Sequence, residues 1–125
     1  EGESGFRSRE IRMIDQLSSK KNIVLATGGG AVLSSDNRQR LKSRGVVVYL
    51  CASIKQQVMR TSRDKNRPLL QTPSLEKRIS ELMKIRDPLY REVADILVDT
   101  KRSNPMSISR DIGKRLTEIT SKLPV

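Results

Sequence analysis

Residues Ile23-Val24-Leu25-Ala26-Thr27-Gly28-Gly29-Gly30 form a short apolar run of strand character that stops in three consecutive glycines. In an open α/β sheet a ligand sits where a strand's carboxyl end turns into the next element. Glycine at such a place permits unusual φ/ψ and lets backbone N–H groups approach a bound group with no Cβ in the way. No Lys-Ser or Lys-Thr follows these glycines, so they are not a phosphate-cradling P-loop. A tight strand-to-helix turn with no ligand fits the same eight residues equally well.

The order of elements around that run narrows the fold. Over residues 4–18, Phe6, Met13, Ile14 and Leu17, with Ile11 beside them, mark one face of a helix. A strand is predicted at 23–27. Ser34 can cap a polar helix over about 35–43, which Gly45 ends, and Val46-Val47-Val48-Tyr49-Leu50 reads as a strand covered on both faces. Ser53 with Gln56 three residues on is a capping box that opens a helix to about residue 62. The charged stretch Arg63-Asp64-Lys65-Asn66-Arg67-Pro68-Leu69-Leu70-Gln71 has no helical period and reads as a mobile loop over about 63–73. Thr72-Pro73 is a good start for a helix over about 74–86, and Arg86-Asp87-Pro88 ends it, because the residue before a proline is pushed away from αR. Asp95-Ile96-Leu97-Val98-Asp99 is a third strand. Asn104-Pro105 opens a final helix with Ile108, Ile112, Leu116, Ile119 and Leu123 inward. Strands alternating with helices of this length predict a single α/β domain over 1–125 with a parallel sheet.

Composition excludes several chemistries. These 125 residues hold no histidine and one cysteine, Cys51, so a zinc site built on His and Cys and triads of the Ser-His-Asp or Cys-His kind are ruled out within them. Cys51 lies in a strand-like run and reads as a buried thiol of a reducing compartment. Only Phe6, Tyr49 and Tyr90 are aromatic, so the core must be aliphatic. A net charge of +11 suits anionic partners such as nucleotides or phosphates, and equally a solvated basic surface. No apolar stretch reaches membrane-spanning length and no signal peptide opens the chain, which reads as soluble and cytoplasmic.

Two arginines fall where apolar residues are due. The stripe Leu75, Ile79, Leu82 continues to Arg86, whose guanidinium would lie along the core edge. Arg7 shares a face with Ile11 and Ile14, and Glu10 at i+3 can hold it. An arginine fixed by a carboxylate is a preorganised fork for a second carboxylate or a phosphate. A helix-surface ion pair with a snorkelling stem accounts for either arginine taken alone.

Glu1-Gly2-Glu3-Ser4-Gly5-Phe6-Arg7, the glycines at 28–30, Arg67-Pro68-Leu69-Leu70, Asp87-Pro88-Leu89-Tyr90 and Val98-Asp99-Thr100 together resemble the shikimate kinase family in order and separation, from residue 1 to about 116. The resemblance implies a three-layer α/β/α P-loop kinase fold and a monomeric enzyme that binds neither nucleic acid nor membrane. It implies transfer of the γ-phosphoryl of ATP to the 3-hydroxyl of shikimate, with Mg2+, on the route to aromatic amino acids. By the same resemblance Arg7 and Arg86 clamp the shikimate carboxylate and the Gly29 backbone meets a substrate hydroxyl. The loop over about 63–73 is then a lid whose Arg67 reaches the phosphates as the catalytic residue, and Arg60 and Pro105 flank the adenine. No metal ligand is implied within the chain.

The family pattern also has an opening strand, a Gly-rich loop ending in Gly-Lys-Ser or Gly-Lys-Thr, and an aspartate-bearing strand, none of which is present in these residues. The expected fold is therefore incomplete, the C-terminal part of a longer kinase domain. In the family the opening strand lies between those matched by 23–27 and 46–50. Without it two inner edges are unpaired and apolar surface is exposed, so the 125 residues alone are expected neither to fold stably nor to catalyse. A gluconate-type P-loop kinase and a basic, non-catalytic nucleic-acid-binding domain are the alternatives.

Overall fold

A computed structural model describes residues 2–62, 72–101 and 104–121. Helix α1 spans Gly2–Ser18, a 3₁₀ turn Gly29–Leu33, α2 Ser35–Arg44, β1 Val48–Cys51, α3 Ile54–Ser62, α4 Thr72–Val93, β2 Ile96–Asp99 and α5 Pro105–Ser121. The two strands form a parallel pair with Val48 opposite Ile96 and Cys51 opposite Asp99. Helices α3 and α4 make the crossover between them. The ladder is fixed at its start by Asp95, whose carboxylate accepts from Val47 N at 2.7 Å, and at its end by Thr100, whose hydroxyl donates to the Cys51 carbonyl at 2.8 Å.

Local signals for the helix starts are realised as hydrogen bonds. Ser34 Oγ accepts from Asn37 N at 3.3 Å to open α2. Ser53 Oγ accepts from Gln56 N at 3.1 Å while Gln56 Oε1 accepts from Ser53 N at 2.9 Å, the reciprocal capping box. Asn104 Oδ1 accepts from Ser107 N at 2.8 Å at the head of α5. Such caps contribute about 1 kcal/mol each. Gly45 follows α2 in an extended conformation, φ −168° and ψ −171°, and so does not end it as a left-handed cap.

Where long-range partners decide, the structure departs from the pattern. Residues 23–27 are extended but join no ladder among the described residues. The sheet therefore has two strands where three were expected, with one edge of β1 open. A strand is defined by its hydrogen-bonding neighbour, and Val24, 99% exposed, has none. For the same reason the 46–50 run is not covered on both faces: Val46 and Leu50 are exposed, whereas Ile96 and Val98 on β2 are buried.

Helix α4 does not end at Asp87. It continues through Pro88 to Val93, which is buried. Proline inside a helix costs about 3 kcal/mol and leaves the Lys84 carbonyl without its N–H partner. Tertiary contacts offset this: the Tyr49 hydroxyl donates to Asp87 Oδ1 at 2.7 Å, Arg91 Nε donates to Asp87 Oδ2 at 2.8 Å, and the Tyr90 ring lies 4.8 Å from that of Tyr49. Thr72 and Pro73 belong to α4 and not to a lid; residues 63–71 lie outside the described residues.

The core is small and aliphatic. Val58, Leu75 and Ile79 pack together between α3 and α4, with Ile54 and Met83 against them. Met83, not Leu82, continues the α4 stripe, and Leu82 is exposed. On α1 the inward face carries Arg7, Ile11 and Ile14, leaving Phe6 and Met13 exposed. The described apolar face of α5 (Ile108, Ile112, Leu116, Ile119) is half-buried, and Leu123 lies outside the described residues. Between α1 and α2, Arg44 donates to Asp15 Oδ1 at 2.7 Å and Arg40 lies 3.5 Å from the same oxygen. Beside them Asn37, 1% exposed, donates to the Ala31 carbonyl at 3.0 Å and ties α2 to the 3₁₀ turn.

Candidate functional site

The three glycines face four side chains. A Cβ on Gly28 would lie 3.8 Å from Glu10 Oε2. One on Gly29 would lie 2.8 Å from the Tyr90 hydroxyl and 3.4 Å from Arg86 Nη1. One on Gly30 would run into the Arg7 guanidinium, touching Nη1, with Nη2 at 2.5 Å and Cζ at 2.7 Å. Among the described residues Gly2 is the one glycine at positive φ; Gly28 has φ −69° and ψ 158°. At Gly29 and Gly30 glycine thus serves space and not a left-handed backbone, whereas a Cβ at Gly28 would make ordinary contact. Helix α1 from one side and the carboxyl-terminal half of α4 from the other press charged and hydroxylic groups onto a bare backbone.

The two arginines predicted from the sequence converge on adjacent residues of this turn. Arg7 Nη1 donates to Glu10 Oε1 at 2.9 Å, Nη2 lies 3.6 Å from Glu3 Oε1, and the guanidinium stands 5.2 Å from the Phe6 ring centroid. Its Nε is buried without a hydrogen-bond partner. Arg86, half-buried, pairs with no carboxylate among the described residues. One fork is held by acids with a donor unspent; the other has no carboxylate partner among the described residues. A carboxylate entering between them would meet preorganised, charge-assisted donors.

Tyr90, quoted in the sequence only as part of a motif, is the residue sequence reasoning missed. Its hydroxyl donates to the Gly29 carbonyl at 2.8 Å. The signal was available: Tyr90 is four residues beyond Arg86 and shares its helix face, which is apparent once α4 is carried past Pro88. Behind it the Tyr49 hydroxyl is pushed well above the usual tyrosine value near 10, by burial first and then by its bond to Asp87. Asp87 is held below the usual carboxylate range by that hydroxyl first and then by Arg91. Burial raises the Cys51 thiol, so it stays protonated and packs as a small side chain.

The other predicted positions are apart from this cluster. Arg60 lies in the last turn of α3 and Pro105 is the first residue of α5; both are exposed, and each belongs to the helix that follows a strand's carboxyl end. Arg67 and Asp64 lie outside the described residues. Asp95 and Asp99 act on backbone, Asp95 accepting from Val47 N at 2.7 Å and Asp99 from Lys101 N at 2.8 Å. No group of three or more His, Cys, Asp or Glu residues among the described residues could hold a metal, and no helix among them is long and apolar enough to cross a membrane.

Comparison with known proteins agrees with this arrangement. The sequence profile of the shikimate kinase family matches residues 1–117. The shikimate kinase of Pseudomonas syringae pv. tomato is 54% identical over 119 residues, covering 95% of this chain and 69% of that protein. The shikimate kinase of Thioalkalivibrio sulfidiphilus is 53% identical over 114 residues, covering 91% and 60%. A solved shikimate kinase from Acinetobacter baumannii in complex with shikimate superposes with a TM-score of 0.79 at 46% identity, covering 98% of this chain and 68% of that one. The chain thus spans 60 to 69% of the length of these relatives. Neither a gluconate-type kinase nor a nucleic-acid-binding domain is favoured by these likenesses.

Proposed function

The chain belongs to the shikimate kinase family, a family of phosphotransferases with ATP as co-substrate, and on that premise we propose that its residues form the acceptor-substrate half of such an enzyme. Arg7 and Arg86 take the shikimate carboxylate, and the Gly29 backbone meets a ring hydroxyl. The γ-phosphoryl of ATP passes to the 3-hydroxyl, with Arg67 stabilising charge on the transferring group and Arg60 and Pro105 flanking the adenine. In a loose phosphoryl-transfer transition state, positioning and electrostatics carry most of the catalysis. The protein would act as a cytoplasmic monomer. Magnesium is expected to accompany ATP, but the described residues offer no acidic cluster that fits it.

The observation supporting this reading is the approach of two guanidinium groups, one held by acids and one with no carboxylate partner among the described residues, to adjacent glycines of one turn. The sequence holds no Gly-Lys-Ser or Gly-Lys-Thr, so a β/γ-phosphate cradle must come from residues other than these 125. The test is intact mass of the source protein followed by ATP-to-shikimate phosphoryl transfer on the same sample. Turnover at a mass well above that of 125 residues is expected. Turnover at the 125-residue mass would refute the need for the cradle, and absence of both turnover and shikimate binding in the larger protein would refute the assignment.

A further inference from the structure

The roles proposed above do not use Tyr90, yet among the described residues it is the side chain that grips the glycine backbone itself. Its hydroxyl donates to the Gly29 carbonyl at 2.8 Å, and the same oxygen fills the space a Gly29 Cβ would need. A peptide unit is planar, so the direction of the Gly29 carbonyl fixes the opposite direction of the Gly30 N–H. The hydroxyl is itself well anchored. The Tyr90 ring lies 4.8 Å from Tyr49 at 41°, Tyr49 is in the parallel ladder of β1, and the Tyr49 hydroxyl is bound to Asp87 on the same helix as Tyr90.

Helix α4 needs such a tie at this point. Pro88 lies between Arg86 and Tyr90 and removes the helical hydrogen bond to the Lys84 carbonyl, so the turn that carries Arg86 is one bond short. Arg86 Nη1 approaches the Gly29 Cβ position to 3.4 Å, one helical turn before the residue that binds the Gly29 carbonyl. We propose that the Tyr90 hydroxyl is a positioning group for the acceptor substrate: it sets the Gly29–Gly30 peptide plane and holds the Arg86 fork in register with it. This inference rests on the shikimate kinase reading for its substrate, but the hydroxyl-to-carbonyl tie can be tested without it.

The experiment is Tyr90→Phe in the source protein, with Tyr49→Phe as comparator. The phenylalanine keeps the ring stack and deletes one neutral hydrogen bond, which is worth up to about tenfold in affinity. We expect KM for shikimate to rise about five- to tenfold while kcat, KM for ATP and Tm stay close to wild type. Tyr49→Phe, which loosens the anchor without removing the bond to the Gly29 carbonyl, should lower Tm and raise KM for shikimate by less than Tyr90→Phe does. An unchanged KM for shikimate in Tyr90→Phe, or equal rises in both KM values together with a fall in Tm, overturns the proposal. Should the wild-type protein not phosphorylate shikimate, the substrate reading fails, and the Gly30 amide decides the tie separately. Its NMR shift should move and its hydrogen exchange quicken in Tyr90→Phe, and an unmoved Gly30 amide overturns the positioning role.

Discussion

Gly30→Ala isolates the claim that these glycines are there to make room. The new methyl would sit 2.5 Å from Arg7 Nη2 and 2.7 Å from Arg7 Cζ. Ordinary carbon contacts begin near 3.5 Å, so the guanidinium must withdraw by about 1 Å. That withdrawal is cheap for the fold, because the obstructing atoms are the end of a flexible side chain. Gly30 does not use a left-handed φ, and alanine lowers the entropy of the unfolded chain, so stability should be unchanged or higher by up to about 1 kcal/mol. For the ligand the withdrawal is expensive. The Arg7–Glu10 bond at 2.9 Å must break or swing, and the fork no longer faces an incoming carboxylate. Losing a hydrogen bond to a charged group costs about 1.5–3 kcal/mol, which is about 10- to 150-fold in affinity. Titration calorimetry with shikimate, beside a thermal melt of the same preparation, reads both quantities. Wild-type affinity in the variant would refute the steric argument, and a drop in Tm of several degrees would show that the glycine serves the fold.

Two further outcomes follow from the same geometry. Gly29→Ala meets the Tyr90 hydroxyl at 2.8 Å, and that ring is anchored against Tyr49, so this variant should lose about 1–3 kcal/mol of stability by overpacking as well as shikimate affinity; a melt that matches Gly30→Ala would sink the distinction. The Tyr49–Asp87 bond predicts stability lost at both pH extremes. Asp87 has a folded pKa below its unfolded value, so its contribution is present above about pH 4 and disappears as pH falls through the folded value. Tyr49 has a folded pKa above its unfolded value, so its contribution is present below about pH 10 and is lost as pH rises through the folded value. Asp87→Asn should flatten the acid side of a Tm-against-pH curve and Tyr49→Phe the alkaline side; parallel curves for variant and wild type would refute the coupling.

What could be read from the sequence was decided within a few residues of the chain. Ser34, Ser53 with Gln56, and Asn104 cap helices because a side-chain oxygen and an N–H two or three residues on need nothing else to meet. Arg7 and Arg86 stood out because each interrupts an apolar stripe, and a charge at a core edge must have something to face. Strand pairing was not legible in the same way. Ile23-Val24-Leu25 has the composition of a strand but no ladder among the described residues, because pairing is a property of two segments and composition a property of one. Pro88 misled for a related reason. The local rule ends a helix there, but Tyr49, Asp87 and Arg91 act together to carry the helix two residues further to Tyr90 and on to Val93.

The passage of α4 through Pro88 also explains why both the arginine and the tyrosine reach the glycine turn. A helix ending at Asp87 would deliver Arg86 from a fraying last turn, with its backbone carbonyls open to water and its guanidinium free to wander. Continuing to Val93, buried at 3% exposure, embeds Arg86 near the middle of a 22-residue helix whose far end is locked into the core. The helical bond missing at Pro88 is the one to the Lys84 carbonyl, in the turn that carries Arg86, and the Tyr90 contact to Gly29 lies just beyond it. A site that binds a small, rigid anion needs its two guanidinium forks fixed to well under 1 Å, because a misplacement of that size can cost about a hundredfold in rate. Arg7 obtains that fixity from its carboxylates, Glu10 and Glu3, whereas Arg86 has no carboxylate partner among the described residues and depends on the backbone that carries it. The carboxyl-terminal turns of α4, from Asp87 to Val93, therefore do for Arg86 what Glu10 does for Arg7.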